Sequence, residues 1–151
     1  MMTDDMLTIA RKAIQMLPHS NALGMKVTNI KPGEVEMSMA YADHLVGDPV
    51  TGVIHGGAVS ALMETCGGAA VISHPDAGLG TATLDLRIDY MRPAKPGQRI
   101  TARAECYNVT RSIAFVRATA YDEDFERPVA TATGAFTATG DGAGQGTGGS
   151  G

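Results

Sequence analysis

His55-Gly56-Gly57 and Glu64 are the residues whose types and spacing could do chemistry. Two glycines opening a helix leave backbone N–H groups unshielded, at the end that carries a partial positive charge. Such donors suit an anion, or an oxyanion developing on a carbonyl. The plain alternative is a tight loop-to-helix turn. Glu64 is the one charged residue between Gly57 and Ser73, in a run of Ala, Val, Leu, Met and Ile. A carboxylate buried there without partners would neutralise. It is therefore either paired, for instance with an arginine from a neighbouring strand, or used. Together on one helix, the two features favour a site.

The spacing also constrains assembly. At 1.5 Å per residue, Gly56 and Glu64 lie about 12 Å apart along a helix, so one reacting carbonyl cannot touch both from the same chain. An antiparallel copy related by a two-fold axis brings the acid of one subunit towards the glycine of the other. Ala58, Ala61, Gly67 and Gly68 are small enough to let such helices come close.

The elements that must position these groups are legible from periodicity. From Gly57 to Ser73 apolar residues fall at nearly every helical phase, the mark of a buried helix, and the run is too short and glycine-interrupted to span a membrane. Upstream, Thr3 caps a helix in which Met6, Ile9, Ala10, Ala13, Ile14 and Leu17 recur at helical spacing, and Pro18 ends it. Residues 21–24 connect to strands at 25–30 and 35–39 about a turn at 31–34, and a loop from 43 to 52 leads into the central helix. Downstream, strands are expected at 79–91, 99–110, 113–121 and 129–139. Strand after strand joined by short turns implies an antiparallel arrangement, and a single buried helix needs a sheet curled around it. The fold class is α+β.

The 151 residues make one domain over residues 1–139, and the glycine-rich stretch 140–151 reads as a flexible tail. A net charge of −4 and a pI near 5.5 argue against nucleic-acid or membrane-surface partners. Cys66 and Cys106 have no metal-site spacing. Mid-helix Cys66 reads as a small hydrophobe, so a reducing cytoplasm without disulfides is expected, and the acidic N-terminus has no signal-peptide pattern. His19, His44 and His74 fall in loops, no pair has metal spacing, and no metal is expected. No phosphate-loop or dinucleotide fingerprint is present.

The run Gly52-Val53-Ile54-His55-Gly56-Gly57, entering a helix with an acid nine residues after the histidine, resembles the hotdog-fold acyl-CoA thioesterases of the PaaI-like, phenylacetate-degradation type. The run Leu84-Asp85-Leu86-Arg87-Ile88-Asp89-Tyr90-Met91-Arg92-Pro93-Ala94 matches that family's strand and its exit turn, and the likeness covers roughly residues 20–139. It implies a long central helix wrapped by a curved antiparallel sheet of about six strands, plus an extra N-terminal helix. It further implies that the Gly56 N–H polarises a thioester carbonyl and that Glu64 acts as general base on water or as nucleophile. Thr83 orients that water, and His55 braces the loop.

The substrate implied is an aryl or medium-chain acyl-CoA, with no cofactor besides the coenzyme A it carries. Gly57, Arg92, Lys95 and Arg111 are candidates for holding it, with Arg99 at a similar strand end, although each alone reads as an ordinary solvated rim residue. The family is homodimeric or homotetrameric with interfacial sites. Many relatives place Asn or Gln six residues before the histidine. Here that position is Pro49, with Asp48 and His44 as the nearest substitutes. Two other readings stay open: a hotdog protein that binds acyl-CoA without turnover, and a dehydratase that pairs its acid with a catalytic histidine.

Overall fold

The structure, a computed structural model, describes residues 4–139. The Thr3 cap and the stretch from Gly140 lie outside those residues. Helix α1 (Asp4–Gln15) is followed at once by a short helix α2 (Pro18–Ala22). Pro18 thus opens a helix as well as ending one, because at the first helical position its missing N–H removes no bond and its fixed φ already suits the turn. Asn21 and Ala22 consequently belong to α2, not to a connector. Leu7, Ala10 and Ile14 make the inward stripe of α1. Ile9 is 67% exposed, and it and Ala13 lie on the opposite side.

Six strands follow: β1 (Met25–Lys31), β2 (Glu34–Met39), β3 (Thr83–Tyr90), β4 (Ile100–Val109), β5 (Ile113–Tyr121) and β6 (Ala130–Thr137), with helix α3 (Gly56–Ser73) between β2 and β3. Every pairing is antiparallel and the order is β1-β2-β4-β5-β6-β3. β3 and β4 are therefore consecutive in the chain yet not neighbours. The chain crosses from β2 through α3 to the far edge, lays down β3 beside β6, and returns to pair β4 with β2.

α3 lies across one face of this sheet and packs chiefly on β4, β2 and β5. Leu62, Met63, Cys66, Ala70 and Val71 are fully buried against Met37, Met39, Ile100 and Val116. This is the central helix and wrapping sheet of a hotdog fold, as the resemblance implied. The helix is not buried all round, however. Ser60, Ala61, Glu64, Thr65, Gly68 and Ile72 form a half-exposed stripe at helical spacing. Of the small residues, Ala61 and Gly68 lie on that stripe. Ala58 and Gly67 face the chain's own core, where a Cβ on Gly67 would sit 3.2 Å from Phe136 Cζ.

β3 begins at Thr83, not Leu79. Gly78 turns the chain at φ +77°, tight against Thr139, and Thr81 and Ala82 are tied to Thr137 outside the regular ladder. No helix among the described residues is long and apolar enough to cross a membrane.

Candidate active site

His55 is the N-cap of α3, with extended backbone (φ −57°, ψ 131°), and its Nδ1 accepts the Gly57 N–H at 2.8 Å. One orphan donor of the helix is thereby satisfied, and the ring proton resides on Nε2. The N–H of Gly57, which the sequence places among the groups that would hold substrate, is thus engaged within the chain. The Gly56 N–H has no acceptor among the described residues. The Gly56 carbonyl accepts the Ser60 and Tyr90 hydroxyls, each at 2.9 Å. The Gly56–Gly57 peptide is therefore held at its oxygen by Tyr90 and Ser60 and at its nitrogen by His55. One N–H remains aimed outward at the positive end of an 18-residue helix.

The preceding loop is fixed by its own bonds. His55 N donates to Leu45 O at 2.8 Å, and Gly47 N to Val53 O at 2.9 Å. Gly47 has to be glycine, since a Cβ there would sit 2.6 Å from His55 Cα. Asp48 accepts from the Thr51 hydroxyl (2.8 Å) and from Val50 N (3.0 Å), which hold its carboxyl below the ordinary range. His44 Nε2 donates to Ala22 O at 3.0 Å. Both candidate substitutes for the group missing at Pro49 are thus engaged within the chain, Asp48 in its own loop and His44 on the end of α2. Beside Gly56 opens a cleft of about 430 Å³, walled by Val53, Val59, Tyr90, Met91 and Pro93. Tyr90 was not singled out in the sequence. Its signal was phase, since it continues the inward series Leu86, Ile88, Tyr90.

Glu64 lies two turns along α3 on the half-exposed stripe and accepts a hydrogen bond from the Thr83 hydroxyl. Among the described residues no arginine or lysine pairs with it. α3 runs antiparallel to β3, so that Tyr90 meets Gly56 at one end and Thr83 meets Glu64 at the other. Simple alternation would have sent Thr83 outward with Asp85, Arg87 and Asp89. A β-bulge prevents this: Thr83 pairs with Phe136 and Asp85 with Ala135, leaving Leu84 as the extra residue. Within one chain Glu64 and Thr83 come together, and so do His55, Gly56 and Tyr90. Gly56 and Glu64 do not.

The cations divide. Arg92 grips Asp122 with both terminal nitrogens, at 2.6 and 2.8 Å, and donates to Arg127 O at 2.7 Å. Its charge is paired inside the chain, where it braces the turn that walls the cleft, and its side chain also lines that cleft. Lys95 is exposed in that same turn, which approaches the Gly52 loop through Pro96. Arg111 is exposed in the β4–β5 turn, at the Thr83 end of the sheet. Arg99 donates to Ser38 Oγ at 3.3 Å.

The two thiols are packing groups. Cys66 Sγ donates to Val35 O at 3.2 Å, burial pushes its pKa up to about 12, and burial raises Cys106 to about 11. Among the described residues no cluster of three or more His, Cys, Asp or Glu could hold a metal ion.

The thioesterase-superfamily profile matches residues 51–128, just over half of the chain. A Pseudomonas aeruginosa protein of solved structure is 39% identical, with 87% of this chain and 97% of that one covered and a TM-score of 0.76. A mutant of the phenylacetic acid degradation protein PaaI from Thermus thermophilus is 30% identical, with 81% and 99% covered and a TM-score of 0.71. A curated relative from Halobacterium salinarum, provisionally named an esterase, is 36% identical over 76 residues, 48% of this chain and 50% of that one. The chain thus spans about half the length of that relative. The helix opened by His-Gly-Gly, the six-stranded wrap and these matches lead to one assignment: the chain belongs to the thioesterase superfamily, as a hotdog-fold protein of the PaaI-like type.

Proposed function

We propose that the chain hydrolyses an acyl-CoA thioester, aryl or medium-chain, to the free acid and coenzyme A. The observation that carries this reading is the division of labour on α3. At its start one N–H is left without an acceptor among the described residues, beside an apolar cleft, and two turns along a carboxylate is held by a hydroxyl and, among those residues, by no cation. The Gly56 N–H donates to the thioester oxygen as it gains charge. Glu64 takes a proton from water as that water attacks the carbonyl carbon; the C–S bond then breaks and the thiolate leaves with the proton. Alternatively the carboxylate itself attacks the carbonyl carbon, and the C–S bond breaks and expels the coenzyme A thiolate. Water then hydrolyses the mixed anhydride to the free acid and the restored carboxylate. Thr83 orients the carboxylate or its water. His55 uses its Nδ1 lone pair on Gly57, which speaks against a base of the dehydratase kind.

The reading requires two copies, a homodimer or a pair of them. Two features support it: the half-exposed stripe of α3 is rich in small residues, and β3 is an unpaired sheet edge most of whose residues are exposed. A two-fold axis that sets these helices antiparallel would unite the Thr83 end of one chain with the Gly56 end of the other. The exposed Arg111 and Lys95 then come from different chains to one mouth, where phosphates could meet them.

Pro49 favours a second reading, acyl-CoA binding without turnover, because no side chain stands where relatives place an amide. Free-thiol release from an acyl-CoA panel separates the two. Hydrolysis is expected for at least one aryl or medium-chain thioester, and Glu64→Gln, nearly isosteric, should lower kcat by about two orders of magnitude or more with the melting temperature retained. Binding without thiol release across the panel would leave the second reading.

A further inference from the structure

The bulge in β3 sets the phase of the strand where it passes Glu64. From Tyr90 back to Leu86 the inward residues are even-numbered, opposite Ala130, Ala132 and Gly134. With no extra residue, alternation would point Leu84 at the helix and Thr83 at solvent. Instead Leu84 stands out of register, 56% exposed, and Thr83, itself exposed, pairs with Phe136 and turns its hydroxyl to Glu64 on α3. A bulge leaves a ladder group without its regular partner. Here the Ala135 N–H is met at 3.0 Å by the Asp85 carboxylate, the side chain next to the extra residue. Gly134 completes the device, since a Cβ there would sit 2.6 Å from Asp85 O and block the close approach of the two strands.

We infer that Asp85 is a positioning residue. By bonding the Ala135 N–H it holds the bulge at Leu84, and the bulge places the Thr83 hydroxyl on Glu64. The inference rests on the proposed role of Glu64 and Thr83. Asp85 touches no reacting atom. What it supplies is an acceptor where the ladder has none, so Asn, which keeps a carbonyl oxygen at that place, should substitute, whereas Ala should not.

Three measurements test it. In a crystal structure of Asp85→Ala, the Thr83 hydroxyl should have left Glu64. Thr83 unmoved in that variant would overturn the inference whatever the kinetics show. In turnover, Asp85→Ala should lower kcat about as much as Thr83→Ala does, roughly tenfold, with KM within about twofold, and Asp85→Asn should restore most of it. In the double variant, Asp85→Ala should add nothing to Thr83→Ala, as expected when one residue acts only through the other. Losses that multiply, or a kcat untouched by Asp85→Ala while Thr83→Ala lowers it, would overturn the inference. If Thr83→Ala itself leaves kcat intact, the role given to Thr83 fails instead. The crystal structure then decides the positioning claim by itself.

Discussion

Asp122 is 1% exposed and accepts four hydrogen bonds, two from Arg92 and one each from the Lys95 and Asp124 N–H groups at 3.0 Å. Arg92 foremost, then the backbone donors, hold its carboxyl far below the usual range against the opposing effect of burial. A depressed folded value means stability that is present above the unfolded pKa, about 3.9, and is lost as pH falls below it towards the folded value. Asp122→Ala, which leaves Arg92 without its counter-charge, should cost about 3–5 kcal/mol at neutral pH. The gap in melting temperature between parent and variant should be widest at neutral pH and narrow progressively as pH falls below about 4. A gap independent of pH would show that packing, not charge, is lost. The pairing itself was not legible in the sequence. Arg92 stands in a turn where a coenzyme A cation is reachable, but its partner lies thirty residues away in a hairpin whose sequence shows only mixed charge. Glu64, by contrast, was legible because any charge in so apolar a helix needs a reason. Its partner Thr83 was legible only through the family resemblance, since the strand's own alternation points it the wrong way.

At the scale of elements, β3 and β6 leave no room for a side chain at Gly134. Gly134→Ala should be destabilising by about 1–3 kcal/mol, the usual range for an intruding methyl in a packed site, read as a lower denaturation midpoint. The same substitution at Gly68, whose Cβ would meet nothing nearer than 3.9 Å, has no such clash. A Gly134→Ala protein as stable as its parent would show that the strands part there at no cost. Strand and helix centres were legible from period alone, and their ends followed local chemistry. Pro18 is equally a stop and a start, and the β-like run after Leu79 becomes strand only at Thr83, once Gly78 has turned the chain. The bulge at Leu84 has no signature in the order of residue types.

For the whole molecule, an apolar helix followed by long alternating strands indicated an antiparallel sheet around one helix. It did not give the strand order, because pairing β3 with β6 is a long-range choice made by the crossover through α3. Nor could one chain's sequence show which side of α3 its own sheet leaves open. That side carries the central claim, a site assembled from the Gly56 end of one copy and the Glu64–Thr83 end of another.

The direct measurement is complementation between two inactive variants. Gly56→Pro removes the free N–H at the first helical position, where proline is tolerated, and the preceding His55 already has the extended ψ of 131° that proline requires. Glu64→Ala removes the acid. Each homodimer, verified as folded and dimeric, should be nearly inactive. In a mixed dimer one site carries both lesions and the other carries neither, so co-expression should restore roughly half the parental rate per mixed dimer. If the donor and the acid instead served a site within one chain, each site would keep one lesion and mixing would restore no activity. That result would contradict the shared site.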